Sequence, residues 1–520
     1  MSAWSARHRL SGFFPSSAVA LTIFLLLSVA TQTGNLMYEV IDWDESTFII
    51  MASDVLNGHL PYLNLYDNKT PGIFFILAFV MWVFGETLLV VRLFGDFSVL
   101  IAAGATFFIC RRSANPVWSA LAVSAMISVT ATSAFQPTMT EHVVIALVMV
   151  SALLVVARRD LLWSAFCVGL LMSMATITRM NVAFVVVALG AYYAWGFVWP
   201  RPRLHRFAIV AYGAGGLVPL LTLLAAYWSA GALDVLYLAT VSVPLSYSQD
   251  QMTVLGVLAE HARLWIGFSV YYPGIFIPLT ILILVGVLRF CISLLTKSPP
   301  SAASPAVAEQ QESRLIVFLL FGAMLLSMLM GGAAFPHYWL QLLPFVAIFI
   351  VAAVSGRNRH WELWTTGGLA VVLITSSLVT FMPSSLALLE GRVRLDDAHF
   401  VRRVAEQIAA DKKPGDRVFA THFQLVYWYL KQDPPSPVVT HPANITQTSV
   451  MSPLVAAGYV PEDELDRLIE SRPAFMIFRG DETPPRTYEP DTQHKLSSLL
   501  QREYKIWLKV NNMHVYRRTL

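Results

Sequence analysis

The stretch that decides the fold is Ile41-Asp42-Trp43-Asp44-Glu45-Ser46. It follows the first apolar segment, at about residues 19–36, and precedes a polar segment at residues 62–72. Acidic residues beside a bilayer are unfavourable because a carboxylate loses hydration there, and those that occur usually have a function. The pair Asp44-Glu45 therefore indicates chemistry at a membrane surface.

The composition is that of a polytopic membrane protein. Of the 520 residues, 56% are hydrophobic and only 13% are charged, and the mean hydropathy is +0.59. A soluble globular domain has about twice this charged fraction. Because the chain is this apolar, we expect contact with the lipid bilayer. The formal net charge of +3 does not indicate a polyanionic partner, so we expect no binding of nucleic acid.

Apolar runs long enough to form membrane-spanning helices recur along the chain. Each such helix needs about 20 residues. The sequence therefore predicts a polytopic α-helical membrane protein with roughly 11–13 transmembrane helices. The runs lie at about residues 19–36, 88–110, 116–134, 141–157, 162–178, 181–199, 206–229, 264–290, 315–332, 338–355 and 362–382.

Basic residues predict the orientation of these helices, because short loops rich in Lys and Arg stay in the cytoplasm. The basic clusters fall on the side of the N-terminus if residues 73–84 do not cross the bilayer. That run would be only about 18 Å long as a helix, so we predict a re-entrant, interfacial or short tilted segment there. The clusters lie at residues 111–112, 158–159, 201–206 and 357–360.

This orientation divides the loops between the two faces of the membrane. The N-terminus and a linker at about residues 291–314 are predicted to be cytoplasmic. The first loop, at about residues 37–72, is predicted to be outside.

The composition changes after Pro383, where the chain becomes charged and rich in turn residues. Residues 1–384 are therefore predicted to form the transmembrane domain, and residues 385–520 a small extracytoplasmic α/β domain. Asn511-Asn512 is typical of a two-residue hairpin turn, and Asp396 is a predicted helix N-cap. In this domain we predict helices at 396–410 and 462–470 and strands at 417–420, 474–478, 504–510 and 513–517.

The residues after the first helix resemble those of a known family, the GT-C glycosyltransferases of the protein mannosyltransferase and lipid A aminoarabinose transferase branch. The resemblance covers residues 41–112 well and the remaining helices loosely. Where relatives often carry Lys-Pro-Pro, this chain has Lys69-Thr70-Pro71. The matching residues, in order, are Asp44-Glu45, Gly58–Tyr62, Asp67–Gly72, Gly85, Arg92-Leu93 and, late in the chain, Phe335–Pro344.

The resemblance implies an enzyme that moves a sugar from a polyprenyl-phosphate donor to an acceptor on the outer face of the membrane. An acceptor hydroxyl must lose a proton as it attacks, and a carboxylate can take that proton. The departing lipid phosphate gains negative charge, which preorganised cations or a divalent metal ion would stabilise. We expect a bacterial inner-membrane protein whose acceptor is lipopolysaccharide core, lipid A or another envelope glycan.

The resemblance also implies roles for particular residues. Asp44 is the predicted catalytic base, Glu45 its catalytic neighbour, and Lys69 a contact to sugar or phosphate. Arg179 lies on the predicted outer side, against the basic bias, which favours an anion contact. The other predicted substrate-binding residues are Tyr62, Tyr66, Asp67, Glu141, His337 and Tyr338.

Each of these roles has a structural alternative. Asp44 and Glu45 could begin an amphipathic helix over residues 45–56, because acids favour the N-terminal end of the helix dipole. Long cationic side chains can also place their charge at the membrane interface, and aromatic residues form belts there. The remaining alternatives are an interfacial Lys69, a helix cap formed by Glu141 and His142 after Pro137, a topology anchor at Arg179, and a belt at His337–Trp339.

Other functions remain open at this point. The acceptor could be a protein, which would make the chain a protein O-glycosyltransferase. A multi-pass transporter or lipid flippase would be equally apolar, but it usually has internal repeats and ionisable residues near the middle of its helices. A catalytically inactive envelope-assembly protein is a third alternative.

Overall fold

The computed structural model describes residues 2–133, 135, 138–199, 204–249, 252–295, 305–354 and 360–519. The central part of the predicted linker at 291–314 and parts of the basic clusters at 201–206 and 357–360 lie outside these residues. So does Pro137, after which a helix cap was predicted. The chain divides into two compact units. Unit 1 contains residues 1–35, 93–221 and 252–392, and unit 2 contains residues 36–92, 222–251 and 393–520.

Most of the described chain is helical, as its composition predicts. Short 3-10 helices occur at Thr33–Met37, Met180–Val182 and Pro336–Gln341, and a π-helical turn occurs at Leu238–Ser242. The α-helices, in chain order, are α1 (Ser2–Gln32), α2 (Trp43–Leu56), α3 (Gly72–Phe84), α4 (Leu88–Cys110), α5 (Pro116–Thr130), α6 (Thr140–Arg158), α7 (Leu162–Thr178), α8 (Ala183–Val198), α9 (Ala208–Ser229), α10 (Leu233–Tyr237), α11 (Val243–Gln249), α12 (Val254–Tyr271), α13 (Pro273–Leu295), α14 (Pro305–Leu329), α15 (Leu343–Val354), α16 (His360–Leu389), α17 (Leu395–Ala398), α18 (Phe400–Asp411), α19 (Leu425–Leu430), α20 (Pro442–Thr446), α21 (Thr448–Ala456), α22 (Glu464–Glu470) and α23 (Pro490–Glu503).

The apolar helices confirm a polytopic membrane protein. Within the described residues, eight helices are long and apolar enough to cross a bilayer, judged by length and composition. Four shorter apolar helices, at Gly72–Phe84, Pro116–Thr130, Leu162–Thr178 and Leu343–Ala352, coincide with other predicted runs. The predicted range of 11–13 transmembrane helices is reached only if these shorter helices cross the bilayer as well.

The predicted runs at 264–290 and 338–355 are each divided between two helices. The run at 264–290 is divided at Tyr272, where α12 has ended and before Pro273 begins α13. A residue before proline is driven out of the helical conformation by steric conflict with the proline ring, which explains the break. The run at 338–355 begins as the 3-10 helix Pro336–Gln341 and becomes α-helical only at Leu343.

Unit 1 is a helical bundle with an apolar interior. Helix α6 packs on α7, α13 packs on α15 and α16, and α5 packs on α1 and α16. Glycine permits a close approach between α7 and α9. A Cβ at Gly169 would lie 1.9 Å from the carbonyl oxygen of Tyr212, and one at Gly215 would lie 1.9 Å from that of Phe166. Larger residues at these two positions would separate the helices.

Unit 2 contains a four-stranded sheet formed by β1 (Val418–Ala420), β2 (Phe475–Arg479), β3 (Tyr504–Val510) and β4 (Met513–Arg518). The strand order is β1-β2-β4-β3, with β1 and β2 parallel and the other pairs antiparallel. The four predicted strands are therefore present. Asn511 adopts a positive φ of 51° in the turn between β3 and β4, a conformation that asparagine tolerates well.

The predicted helix at 396–410 is interrupted at His399, so that α17 and α18 are separate. The N-cap of α18 is His399 and not Asp396, which lies in the first turn of α17. The first amides of α18 bond to a distant carboxylate, because Glu39 accepts hydrogen bonds from the backbone N–H groups of Val401 and Arg402. Tertiary contact therefore decides where α18 begins.

Segments that are far apart in sequence meet in unit 2. The backbone N–H of Tyr66 donates to the carbonyl of Pro437 (2.9 Å), and the Thr440 hydroxyl donates to the carbonyl of Tyr66. The Thr47 hydroxyl donates in turn to the carbonyl of Thr440 (2.7 Å). Residues from both predicted domains, on either side of residue 384, thus share one compact unit.

Candidate active site

The N-terminus of α2 positions the acidic pair. Asp42 caps this helix, since its carboxylate accepts a hydrogen bond from the backbone N–H of Asp44 (2.9 Å). Asp44 and Glu45 occupy the first turn, where the positive end of the helix dipole favours carboxylates. The helix thus begins two residues before the start that the structural alternative gave it, and the two acids differ in what they contact.

Asp44 is partly exposed and faces a lysine. Its Oδ1 lies 3.0 Å from the Lys69 Nζ, and the exposed fractions of the two side chains are 17% and 31%. Lys69 also donates to the side-chain oxygen of Asn68 (3.2 Å). The structure therefore brings the predicted base and the predicted phosphate or sugar contact into one accessible pair.

Histidine 441 joins this pair, although sequence analysis did not single it out. Its Nε2 lies 3.3 Å from Asp44 Oδ1, and its side chain is 14% exposed. The ring is bordered by Trp43, whose ring centroid is 6.2 Å away. The only local indication was the sequence His441-Pro442 before a short helix, which is typical of a helix start and says nothing about Asp44.

Glu45 has a different environment from Asp44. It forms a buried ion pair with Arg92, in which the closest nitrogen lies 2.7 Å from Oε2 and both side chains are at most 3% exposed. Arg92 also donates to the backbone carbonyls of Tyr38 and Glu39. The predicted catalytic neighbour of Asp44 thus links α2 to the start of α4 and to the chain that precedes α2.

Three predicted substrate-binding residues are enclosed in unit 2. Tyr62, Tyr66 and Asp67 are at most 1% exposed. Burial raises the pKa of both tyrosines well above the usual value for a phenol. Asp67 accepts from the backbone N–H of Lys69 (3.1 Å) and from the Asn444 side chain (3.2 Å). These three side chains therefore shape the segment that presents Lys69.

The other four predicted site residues form a second cluster, within unit 1. Arg179 lies 2.7 Å from Glu141 Oε1, while His337 Nε2 is 3.8 Å from the same oxygen. The Arg179 guanidinium also covers the Tyr338 ring at 4.4 Å. Glu141 is 1% exposed and Arg179 is 11% exposed. Four residues that were predicted separately thus form one largely buried group.

Local hydrogen bonds complete this second cluster. The Thr140 hydroxyl donates to Glu141 Oε2 (2.8 Å) and accepts from Arg179 (3.2 Å). His142 caps α6, because its Nδ1 accepts from the backbone N–H of Met139 (3.1 Å). The capping alternative therefore describes His142, whereas Glu141 pairs with Arg179.

A buried histidine lies beside Trp43 in unit 2. The centroids of the His422 and Trp43 rings are 5.2 Å apart, and His422 Nδ1 is 2.8 Å from the Thr421 hydroxyl oxygen. Burial lowers the pKa of His422 to about 4, although the nearby Glu482 carboxylate acts in the opposite direction. His422 is therefore neutral at physiological pH.

The divalent metal ion implied by the resemblance finds no ligand set in the described part of the chain. Within those residues, no three or more His, Cys, Asp or Glu side chains are grouped so that they could hold an ion. The nearest neighbours of Asp44 include the Lys69 ammonium group, which would repel a divalent cation. We therefore assign no step of the reaction to a metal.

Comparison with solved structures identifies the fold. The chain is similar to ArnT, the lipid A aminoarabinose transferase, from Cupriavidus metallidurans bound to undecaprenyl phosphate, with a TM-score of 0.60 and 14% identity over 97% of this chain and 98% of that one. The apo state of ArnT gives a TM-score of 0.61 and 13% identity over 98% of both chains. The apo oligosaccharyltransferase of Archaeoglobus fulgidus gives 0.51 and 10% identity over 90% of this chain and 69% of that one.

No family model matches the sequence, and no curated protein matches it significantly. Both groups of structural neighbours are GT-C proteins. The chain therefore has the GT-C fold with a small sheet near its C-terminus, which confirms the fold predicted from the sequence.

Proposed function

We propose that this protein is an integral membrane glycosyltransferase that moves a sugar from a polyprenyl-phosphate donor to an acceptor hydroxyl. The GT-C fold that it shares with ArnT, which was solved with undecaprenyl phosphate, supports the class of donor. The observation that carries the proposal is the partly exposed Asp44 carboxylate, held beside Lys69 at the start of α2. A carboxylate in this setting is suited to general-base catalysis.

In the proposed reaction, the acceptor oxygen forms a bond to the anomeric carbon of the sugar. The bond from that carbon to the phosphate oxygen breaks, and its electron pair leaves with the lipid phosphate. Asp44 takes the proton of the acceptor hydroxyl. Lys69 holds the carboxylate in place through the 3.0 Å contact, so little reorganisation is needed when the hydroxyl arrives.

Cations would stabilise the departing phosphate, because it gains charge in the transition state. We assign this function to Lys69, the more exposed member of its ion pair.

The positions of the ionisable groups favour an enzyme over a transporter or flippase. Glu141 lies in the first turn of α6, and Arg179 is the C-cap that follows α7. His337 lies in the 3-10 helix before α15. Ionisable residues of transporters instead gather near the bilayer midplane. We further propose a bacterial inner-membrane location and an envelope glycan or glycolipid acceptor.

The experiment is mass spectrometry of envelope glycolipids from a strain that lacks the gene and from the same strain complemented with the wild-type gene. We expect one glycolipid to gain the mass of a single sugar on complementation. Complementation with Asp44→Asn should not restore it. Unchanged glycolipids together with sugar-modified envelope proteins would instead support protein O-glycosylation, and no change in either would contradict the proposal.

A second experiment tests the proposed orientation. Lys509→Cys places a thiol on an exposed position of β3, and Asp160→Cys places one on the exposed turn after α6. The thiol at 509 should react with a membrane-impermeant maleimide in intact cells whose outer membrane is permeabilised. The thiol at 160 should react only after the inner membrane is opened, and the reverse pattern would invert the proposed topology.

A further inference from the structure

The C-terminal part of the chain contributes a side chain to the environment of Asp44. Two side chains approach the same oxygen, since Lys69 Nζ and His441 Nε2 lie 3.0 Å and 3.3 Å from Asp44 Oδ1. Lys69 lies close to Asp44 in the sequence, whereas His441 follows the strand β1 and the helix α19. The candidate site is therefore incomplete without the C-terminal segment.

The other ring nitrogen of His441 determines which tautomer is present. His441 is the N-cap of α20, and its Nδ1 accepts a hydrogen bond from the backbone N–H of Ala443 (3.1 Å). A nitrogen that accepts this bond carries no proton of its own. In a neutral imidazole the proton then lies on the other nitrogen. His441 therefore presents an Nε2–H donor to the carboxylate of Asp44.

The backbone around His441 is held against the segment that carries Lys69. Thr440 donates to the carbonyl of Tyr66, and Asn444 donates to the side chain of Asp67 (3.2 Å). Asp67 in turn accepts from the backbone N–H of Lys69 (3.1 Å). These bonds connect the backbone around His441 to the segment that carries Lys69, and both side chains approach the same oxygen of Asp44.

We propose that His441 is a positioning residue for the catalytic base. Its Nε2–H holds Oδ1 of Asp44, so that the carboxylate keeps one orientation while it receives the proton of the acceptor hydroxyl. This inference rests on the proposed glycosyltransferase function. It assigns to the C-terminal segment a direct part in the geometry of the site.

Two substitutions separate the two contacts of the ring. In His441→Asn, the side-chain oxygen can still cap α20 from the position of Nδ1, but the donor to Asp44 is lost. In His441→Gln, the amide group reaches one bond further, so it can replace the Nε2–H donor while the cap is lost. A purely structural histidine would be replaced better by Asn, and a positioning histidine better by Gln.

The assay uses purified full-length protein in liposomes with the lipid extract of the gene-deleted strain, which contains both donor and acceptor. Product is measured by mass spectrometry as the glycolipid that gains one sugar. His441→Asn should lower the maximal rate roughly tenfold or more, the usual effect of losing a hydrogen bond to a charged group. The amount of extract that gives half the maximal rate should not change. His441→Gln should remain within a few-fold of wild type.

The exposed His494 on α23 provides a matched control, and His494→Asn should behave as wild type. Wild-type rates for His441→Asn would overturn the positioning role, as would a lower thermal unfolding temperature that accounts for its lost activity. A wild-type protein that forms no product would contradict the proposed function itself, which is a different outcome from a failure of the His441 substitutions alone.

Discussion

The Asp44 site in unit 2 and the Glu141 cluster in unit 1 contain the same kinds of residue and differ in burial. Each combines a carboxylate, a long cationic side chain and a histidine. Asp44 is 17% exposed, whereas Glu141 is 1% exposed. A carboxylate must meet its substrate in order to accept a proton, so exposure is the property that distinguishes the two groups.

Burial also changes what the ion pair contributes to stability. A charge that loses its partner in a dry environment keeps its desolvation penalty, so breaking a buried pair destabilises the fold strongly. An exposed pair contributes little, because water replaces the lost partner. The comparison therefore predicts that the Asp44 site will respond to mutation mainly in activity and the Glu141 cluster mainly in stability.

The largest expected effect follows Asp44→Asn. Removing a general base lowers the rate by about 10²–10⁴-fold, since the acceptor proton then has no nearby carboxylate to receive it. The thermal unfolding temperature should change little, because Asp44 is partly exposed and Asn keeps its shape. The measurement is product formation from lipid extract, with the exposed Asp397→Asn as the control of equal charge change. Activity near that of wild type would remove Asp44 from the reaction.

The next effect is on stability, in Glu141→Gln. This change leaves Arg179 in a largely buried position without its carboxylate, at an expected loss of about 3–5 kcal/mol in the free energy of unfolding. Thermal unfolding in detergent is the measurement. The double variant Glu141→Gln with Arg179→Met should recover part of the loss, because the unpaired charge is then absent as well.

A Glu141→Gln variant with wild-type stability and impaired transfer would break the comparison. In that case the cluster would act directly on substrate, as the sequence predicted for Glu141, Arg179, His337 and Tyr338.

A smaller effect on activity is expected for Lys69→Met. Loss of a charge-assisted contact should lower kcat/KM for the donor. The decrease corresponds to a loss of about 1.5–3 kcal/mol in transition-state stabilisation. Lys69→Arg keeps the charge and should be affected less, although its planar head differs from an ammonium group. Rates measured at several amounts of lipid extract would show the change. Equal and unimpaired rates for both variants would leave Lys69 with no role in transfer.

The smallest effect concerns the pH dependence of stability near His422. Its pKa is about 4 in the folded protein, mainly because it is buried, against 6.5 for an ordinary histidine. Between pH 4 and 6.5, His422 is therefore protonated in the unfolded chain and neutral in the folded protein. The free energy of unfolding falls as the pH decreases from about 6.5 towards 4. Above pH 6.5 the contribution of His422 is fully present. His422 faces Thr421, Trp43, His441 and the charged residues Arg479, Asp481 and Glu482.

Thermal unfolding across this pH window tests the prediction. His422→Gln should flatten the dependence of the unfolding temperature on pH. His494→Asn, at an exposed histidine, is the control and should show the same dependence as wild type. An unchanged slope in His422→Gln would show that another group titrates there.

Much of the fold could be predicted because it follows from local composition. Apolar runs predicted the membrane helices, and the turn signal at Asn511-Asn512 predicted the hairpin of the small sheet. The differences lie where backbone detail decides, as at Tyr272 before a proline and at His399, where a distant Glu39 carboxylate binds the first amides of α18.

The predicted site residues were grouped by the structure in a way that their spacing did not indicate. Asp44 and Lys69 were each predicted to be site residues, and the structure joins them in an ion pair. Glu45, its neighbour in the chain, instead faces Arg92 in a buried pair, because successive residues on a helix point in directions about 100° apart. Periodicity describes which faces residues share, but it does not identify the partner on each face.

The sequence by itself determined the class of protein, the membrane helices, the small sheet and the acidic pair beside the first helix, because hydrophobicity, turn chemistry and motif order act over short stretches of chain. Only the tertiary structure decided that Asp44 is accessible while Glu45 is buried, and that the Nε2 atom of His441 lies 3.3 Å from Asp44 Oδ1. Those facts depend on contacts between segments that are distant in the sequence, and the energy of such contacts is set by burial and hydrogen-bond geometry.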